Sequence, residues 1–136
     1  MPTNAPEPRG NAVSTHCLVD ADHAGNKVTR IYQTAILLFA NKLCITWYSK
    51  RHNSVEDSTS GSEFITLRQA KNLIVAFRYK LRMCGMLIDV PTNVFCDNES
   101  VTKSVWLPEL TLNNKCLSIC YHSVRESVAA DTLWAA

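Results

Sequence analysis

The run Ser62-Glu63-Phe64-Ile65-Thr66-Leu67-Arg68-Gln69-Ala70-Lys71-Asn72-Leu73-Ile74-Val75-Ala76-Phe77-Arg78-Tyr79-Lys80-Leu81-Arg82-Met83-Cys84-Gly85 is the longest segment with an unbroken helical period. Leu67, Ala70, Ile74, Phe77, Leu81 and Cys84 recur at spacings of three and four, and Gly85 supplies the stop. At about 100° per residue, Glu63 falls at the azimuth of Leu81 and within about 40° of Leu67, Ala70, Ile74 and Phe77. A carboxylate is thus aimed along the face that must pack on the rest of the protein. Buried carboxylates are costly unless paired or bound to metal. The competing reading is a capping acid in the first turn, favoured by the helix dipole.

Upstream of this helix the period changes. His16 to Val19 is a short apolar strand running into Asp20-Ala21-Asp22, read as a polar loop. Thr34 to Ala40 is a continuous apolar run, and Asn41-Lys42 suits a turn. Leu43 to Ser49 then sets Leu43, Ile45 and Trp47 against Cys44, Thr46 and Tyr48, which completes a hairpin. Trp47 and Tyr48 alternate faces and are expected to serve packing. Residues 52–62 read as a loop. Downstream, Thr92 to Cys96 forms a strand after Pro91 and ends at Asp97-Asn98. A short helix is expected over Glu99 to Val105, and a second long helix over Lys115 to Ala130. Residues 131–136 begin a fifth strand. This order predicts an α/β fold whose antiparallel strands 1–3 are followed by a parallel strand 4 and a partial strand 5, with helices packed on the sheet.

The chain has 136 residues, 46% hydrophobic and 19% charged, with a net charge of +2. It suits one folded domain, and any basic surface must be local. Residues 1–14 hold three of the five prolines and read as a lead-in or linker; the domain proper is 15–136. The six cysteines form no CxxC pair, so free thiols in a reducing compartment are expected. No apolar stretch approaches the roughly 20 residues of a membrane span, and the N-terminus has neither the basic nor the apolar region of a signal peptide. An intracellular location follows as the default.

Asp20 and Asp97 each follow an apolar strand, where α/β sheets place functional groups. Taken singly, each is as readily a turn residue or a helix cap. Two strand-end aspartates and a glutamate opening a crossover helix can converge on one point. Such acids repel one another unless a divalent cation lies between them. Two-metal phosphodiester hydrolysis uses a cluster of this kind.

Five segments then occur in order. They are Val19-Asp20-Ala21-Asp22-His23-Ala24-Gly25 with Val28-Thr29-Arg30 behind it, Ile45-Thr46-Trp47-Tyr48-Ser49-Lys50, Ser58-Thr59-Ser60-Gly61-Ser62-Glu63-Phe64, Phe95-Cys96-Asp97-Asn98-Glu99-Ser100, and Tyr121-His122-Ser123-Val124-Arg125-Glu126. Together these resemble the ribonuclease H domain of copia-type retrotransposon Pol polyproteins. The match runs from about residue 17 to 131. The resemblance implies a ribonuclease H-like fold, Mg2+ or Mn2+ in a two-ion site, and hydrolysis of the RNA strand of RNA–DNA hybrids. Asp20, Glu63 and Asp97 would be three of four metal-binding carboxylates, with Asp22, Asn98 and His122 as candidate supporting groups. It also implies a reverse transcriptase polymerase domain as partner and a cytoplasmic virus-like particle as location in an intact element.

The chain departs from that pattern in places. Ala35 stands where the family has Gly, and Cys116 follows Lys115 where a Lys-His pair is usual. The fourth carboxylate of the family, in an L-A-D-x-[LF]-T-K motif, is absent before Ala136, as is the final helix; Asp131 occupies a turn position and is no substitute. The expectation is therefore a C-terminally truncated fragment with an incomplete two-ion site and little or no turnover. Met1 would then be an internal methionine used as the start of a remnant frame. The alternatives are a catalytically dead remnant that at most binds nucleic acid, and a structural module without a nucleic-acid role. Retention of all three acids speaks against the last.

Arg68, Lys71, Arg78 and Arg82 fall within about 80° of one another and form a candidate stripe for backbone phosphates, set against the plainer reading of a solvated surface. His122 is read either as a group for product release or proton transfer, or as a surface or helix-packing residue. Cys116 and Cys120 share a helical face, but His122 lies about 200° from Cys120, which argues against one tetrahedral zinc site.

Overall fold

A computed structural model describes residues 6–22, 31–55, 59–99, 103 and 115–135, with only the backbone for 22, 31, 32, 52–55, 59–61, 115–118 and 121. Five strands and two long helices appear in the order β1 (Thr15–Asp22), β2 (Ile31–Ala40), β3 (Leu43–Val55), α1 (Thr59–Met83), β4 (Thr92–Cys96), α2 (Lys115–Ala129) and β5 (Leu133–Ala135). The sheet order is β3-β2-β1-β4-β5. β1, β2 and β3 pair antiparallel, while β4 joins β1, and β5 joins β4, in parallel. The expected mixed sheet is present. The short helix expected over 99–105 falls mostly outside the described residues, although Glu99 and Lys103 are helical and form an ion pair at 2.9 Å.

The turns follow from residues that tolerate left-handed backbone. Asn41 closes the hairpin at φ 53°, and its backbone N–H donates to Ser14 O at 2.7 Å. Gly85 ends α1 at φ 76°, with Gly85 N–H on Arg82 O and Met86 N–H on Leu81 O. Asp131, at φ 51°, does the same for α2, with Thr132 N–H on Ser127 O. Its turn role is thus visible in the backbone. The lead-in is not free over its length, because Arg9 N–H and Val13 N–H donate to Gly85 O and Leu87 O, each at 2.8 Å.

Both helices lie on one face of the sheet. Cys17, Val19, Ile36, Leu38 and Val94 from the strands pack against Phe64, Leu67, Ala70 and Ile74 of α1 and Cys120, Val124 and Val128 of α2. Among the described residues no element covers the opposite face. Trp47 pairs with Leu37, Leu37 with Leu18, and Leu18 with Phe95, giving an apolar row across four strands. Every member of that row is substantially exposed. Packing was expected of both Trp47 and Tyr48. Tyr48 does lie against the core, but Trp47 is 75% exposed on the uncovered side. Two further differences matter for the site. β1 runs through Asp22, so Asp20 lies within the strand, and α1 starts at Thr59, so Glu63 is its fifth residue. No acid occupies the first turn, which removes the capping reading of Glu63. Among the described residues no helix is long and apolar enough to cross a membrane.

Candidate metal centre

Parallel pairing of β1 and β4 runs from His16 with Asn93 to Val19 with Cys96. Asp20 and Asp97 therefore come next on neighbouring strands, one step past the last pair. α1 crosses this end of the sheet and lowers Glu63 toward it. Its burial follows from the helical period, since Leu67, Ala70 and Ile74, all buried, lie within about 40° of it on α1. The residue is only 6% exposed.

The Glu63 carboxylate is held at both oxygens. Asn98 Nδ2 donates to Oε1 at 3.2 Å, and the Cys96 thiol donates to Oε2 at 3.4 Å. Burial pushes the Glu63 carboxyl above its ordinary value of 4.5. The two donors oppose that shift, and the charges of Asp97 and Asp20 add to it. Of the two aspartates, the contribution of Asp97 is the larger. Burial also pushes the Cys96 thiol up, to about 11.

Among the described residues, Glu63, Cys96 and Asp97 offer ligand atoms all within 4.8 Å of one another. Asp20 is outside that tight set. It lines a hollow of about 510 Å³ with Asp97, Cys96, Leu18, Leu37 and Phe95. The hollow connects the acidic end of the sheet with its open apolar face. The donor set suits a divalent cation: carboxylates from β1, from the residue after β4 and from α1, the last of them buried with no ion pair among the described residues.

The other sequence candidates are placed differently. Asn98 is at the centre, on Glu63. Asp22 closes β1, and its side chain is outside the described ones. His122 is exposed on α2 and lines a separate shallow hollow with Arg125, Glu126 and Ala129. The basic stripe divides. Arg78 is buried and donates to Val90 O at 2.8 Å and Thr92 Oγ1 at 3.2 Å. Arg68 reaches Cys120 Sγ at 3.7 Å, between the helices. Lys71 and Arg82 are half-buried. Side chains at 116 lie outside the described ones, and Cys120 is in the core.

Sequence reading passed over Cys96, which looked like one more buried thiol. The available signal was alternation: Cys96 follows Val94 on the helix-covered face and immediately precedes Asp97.

No family model matches the chain. Solved structures share its fold. A ribonuclease H1 from the halophilic archaeon Halobacterium salinarum NRC-1 superposes with a TM-score of 0.63 at 14% identity, covering 90% of this chain and 82% of that one. LC11-RNase H1, solved in complex with an RNA/DNA hybrid, gives 0.66 at 13% identity, with 90% and 83% covered. The prototype foamy virus protease–reverse transcriptase gives 0.52 at 14% identity, covering 98% of this chain and 19% of that one. The mixed sheet and its helices are those of the ribonuclease H-like fold.

Sequence similarity narrows this. Over 125 residues, 92% of this chain, it is 26% identical to the retrovirus-related Pol polyprotein from transposon RE1 of Arabidopsis thaliana. It is 24% identical to that from transposon RE2 over the same share. The chain thus has the ribonuclease H-like fold and is similar in sequence to a segment of retrotransposon Pol polyproteins. It spans 8% and 9% of the length of these two relatives.

Proposed function

We propose that this domain, of copia type, hydrolyses the RNA strand of RNA–DNA hybrids with Mg2+ or Mn2+ held by Asp20, Glu63 and Asp97. What supports this reading is the geometry at one end of the sheet: buried Glu63 has a ligand atom within 4.8 Å of one on Asp97, and Asp20 follows the last pair of β1 with β4. When bound, a pair of divalent ions supplies an activated water and stabilises the leaving oxygen. The chain's own groups do the rest. Glu63 is fixed in orientation by Asn98 and Cys96, so its ligand oxygens need no reorganisation. Asp20 within β1 and Asp97 just past β4 each follow the last pair of the parallel ladder. Lys71 and Arg82 on α1 are the members of the basic stripe left to meet backbone phosphate, while Arg78 and Arg68 support the packing that holds α1. A reverse transcriptase polymerase domain is the expected neighbour in a longer protein.

With metal held by these three carboxylates, the domain is expected to bind a hybrid and cut its RNA strand. A labelled hybrid incubated with Mg2+ or Mn2+ tests this. RNA-strand cleavage lost in Asp97→Asn supports the reading. Cleavage that survives Asp97→Asn contradicts it, and binding without cleavage identifies a catalytically inert hybrid binder.

A further inference from the structure

We propose that Glu63, Cys96 and Asp97 form a site for a thiophilic divalent cation, such as zinc or cadmium, that overlaps the carboxylate centre and excludes magnesium from it. The proposal deepens the function given above, sharing Glu63 and Asp97 with it and adding a regulatory sensitivity.

Geometry comes first. Zinc bound to sulfur at about 2.3 Å and to a carboxylate oxygen at about 2.1 Å, at a tetrahedral angle, sets those ligands about 3.6 Å apart. Cys96 Sγ and Glu63 Oε2 are 3.4 Å apart, and the ligand atoms of all three residues lie within 4.8 Å. Little movement is needed to close them on one ion. Glu63 Oε1 is already occupied by Asn98, so Oε2 is the oxygen that turns toward the sulfur. Three protein ligands leave a fourth position, open to the hollow that Cys96, Asp97 and Asp20 line.

Chemistry gives the selectivity. Magnesium demands six oxygens in a regular octahedron and gains nothing from sulfur, whereas thiolate selects zinc-class ions. On binding, the S–H proton is released to solvent and the sulfur–metal bond replaces the S–H to Glu63 hydrogen bond. Glu63 and Asp97 cannot then serve the magnesium geometry, so the soft ion acts as an inhibitor.

Alkylation mapping tests this on the unaltered chain, with the metal alone as probe. Zn2+ should slow iodoacetamide modification of Cys96 by about tenfold or more, the scale on which site groups alter metal affinity. Mg2+ should give far less protection, and exposed Cys44 serves as the internal control. In parallel, Cd2+ should raise a thiolate-to-metal absorption band that Cys96→Ser and Cys96→Ala abolish and Glu63→Gln weakens. Equal Zn2+ effects at Cys44 and Cys96, or a cadmium band unchanged in Cys96→Ser, overturn the proposal. Mn2+ binding to the carboxylates, with no protection of Cys96 by Zn2+, defeats this inference alone. Protection of Cys96 by Zn2+ without any Mn2+ binding supports it and defeats the magnesium reading instead.

Discussion

Asp20 and Asp97 sit one residue past the last partnered pair, Val19 and Cys96, of two parallel strands. The register of β1 against β4 thus brings the two acids to the same end of the sheet. Glu63, delivered by a helix, is the adjustable third member, and its hydrogen bonds determine how well the set is organised.

Asn98→Ala should therefore weaken the metal centre more than the fold. It removes the donor on Glu63 Oε1. Mn2+ affinity is expected to fall about tenfold or more, as for other groups that orient a ligand. Stability should change by about 1 kcal/mol, the net worth of one hydrogen bond. Calorimetric Mn2+ titration and urea unfolding of the same variant check the two halves.

Glu63 also sets a pH dependence. Its folded value lies above the ordinary 4.5 because burial and two aspartates disfavour its charge. The folded state thus holds this proton more tightly than the unfolded chain. The associated stability is present in full below the ordinary value and is lost as pH rises through the folded one. In chelator, the Tm should fall as pH is raised across that window. Glu63→Gln, which cannot titrate, should lose this part of the decline and abolish the stabilisation that Mn2+ gives the parent.

Leu37 and Leu38 are sequence neighbours on opposite faces of β2, 39% and 1% exposed. Leu38→Ala should cost about 2–5 kcal/mol through a core cavity. Leu37→Ala, on the open face, should cost under about 1 kcal/mol. Urea midpoints at constant m-value distinguish them, and similar values would mean the open face is covered in solution.

Much of this was legible in the sequence, for particular reasons. The long helix and the inward aim of Glu63 follow from its 3.6-residue period. Gly85, and the Asn41-Lys42 turn, could be read because left-handed backbone restricts residue choice. β3 was harder. Its two faces, Leu43-Ile45-Trp47 and Cys44-Thr46-Tyr48, are both partly apolar, so alternation alone does not say which is covered. Only the register shows Trp47 on the open side with Leu37, Leu18 and Phe95. The basic stripe misled for a different reason: helical azimuth locates the root of a side chain, not its end. Arg78 turns inward to Thr92, fourteen positions away. Cys96 was passed over because its partner, Glu63, is 33 positions distant.

Arg78 offers a separate check on that division. Arg78→Met removes the donor on Val90 O and one of the two partners of Thr92 Oγ1, which keeps Thr15 Oγ1, and should destabilise the protein by about 1–3 kcal/mol. Lys71→Ala should leave stability within about 0.5 kcal/mol while flattening the salt dependence of hybrid binding. Fluorescence anisotropy with a labelled hybrid at several salt concentrations provides that comparison.

The central claim is that Asp20, Glu63 and Asp97 hold one divalent centre at the end of the sheet. Paramagnetic broadening of backbone amide signals by substoichiometric Mn2+ measures this directly. Broadening should be strongest around residues 20, 63 and 97 together, and Asp97→Asn should remove it from all three. Broadening centred elsewhere, or persisting at Asp20 and Glu63 in Asp97→Asn, would contradict the account.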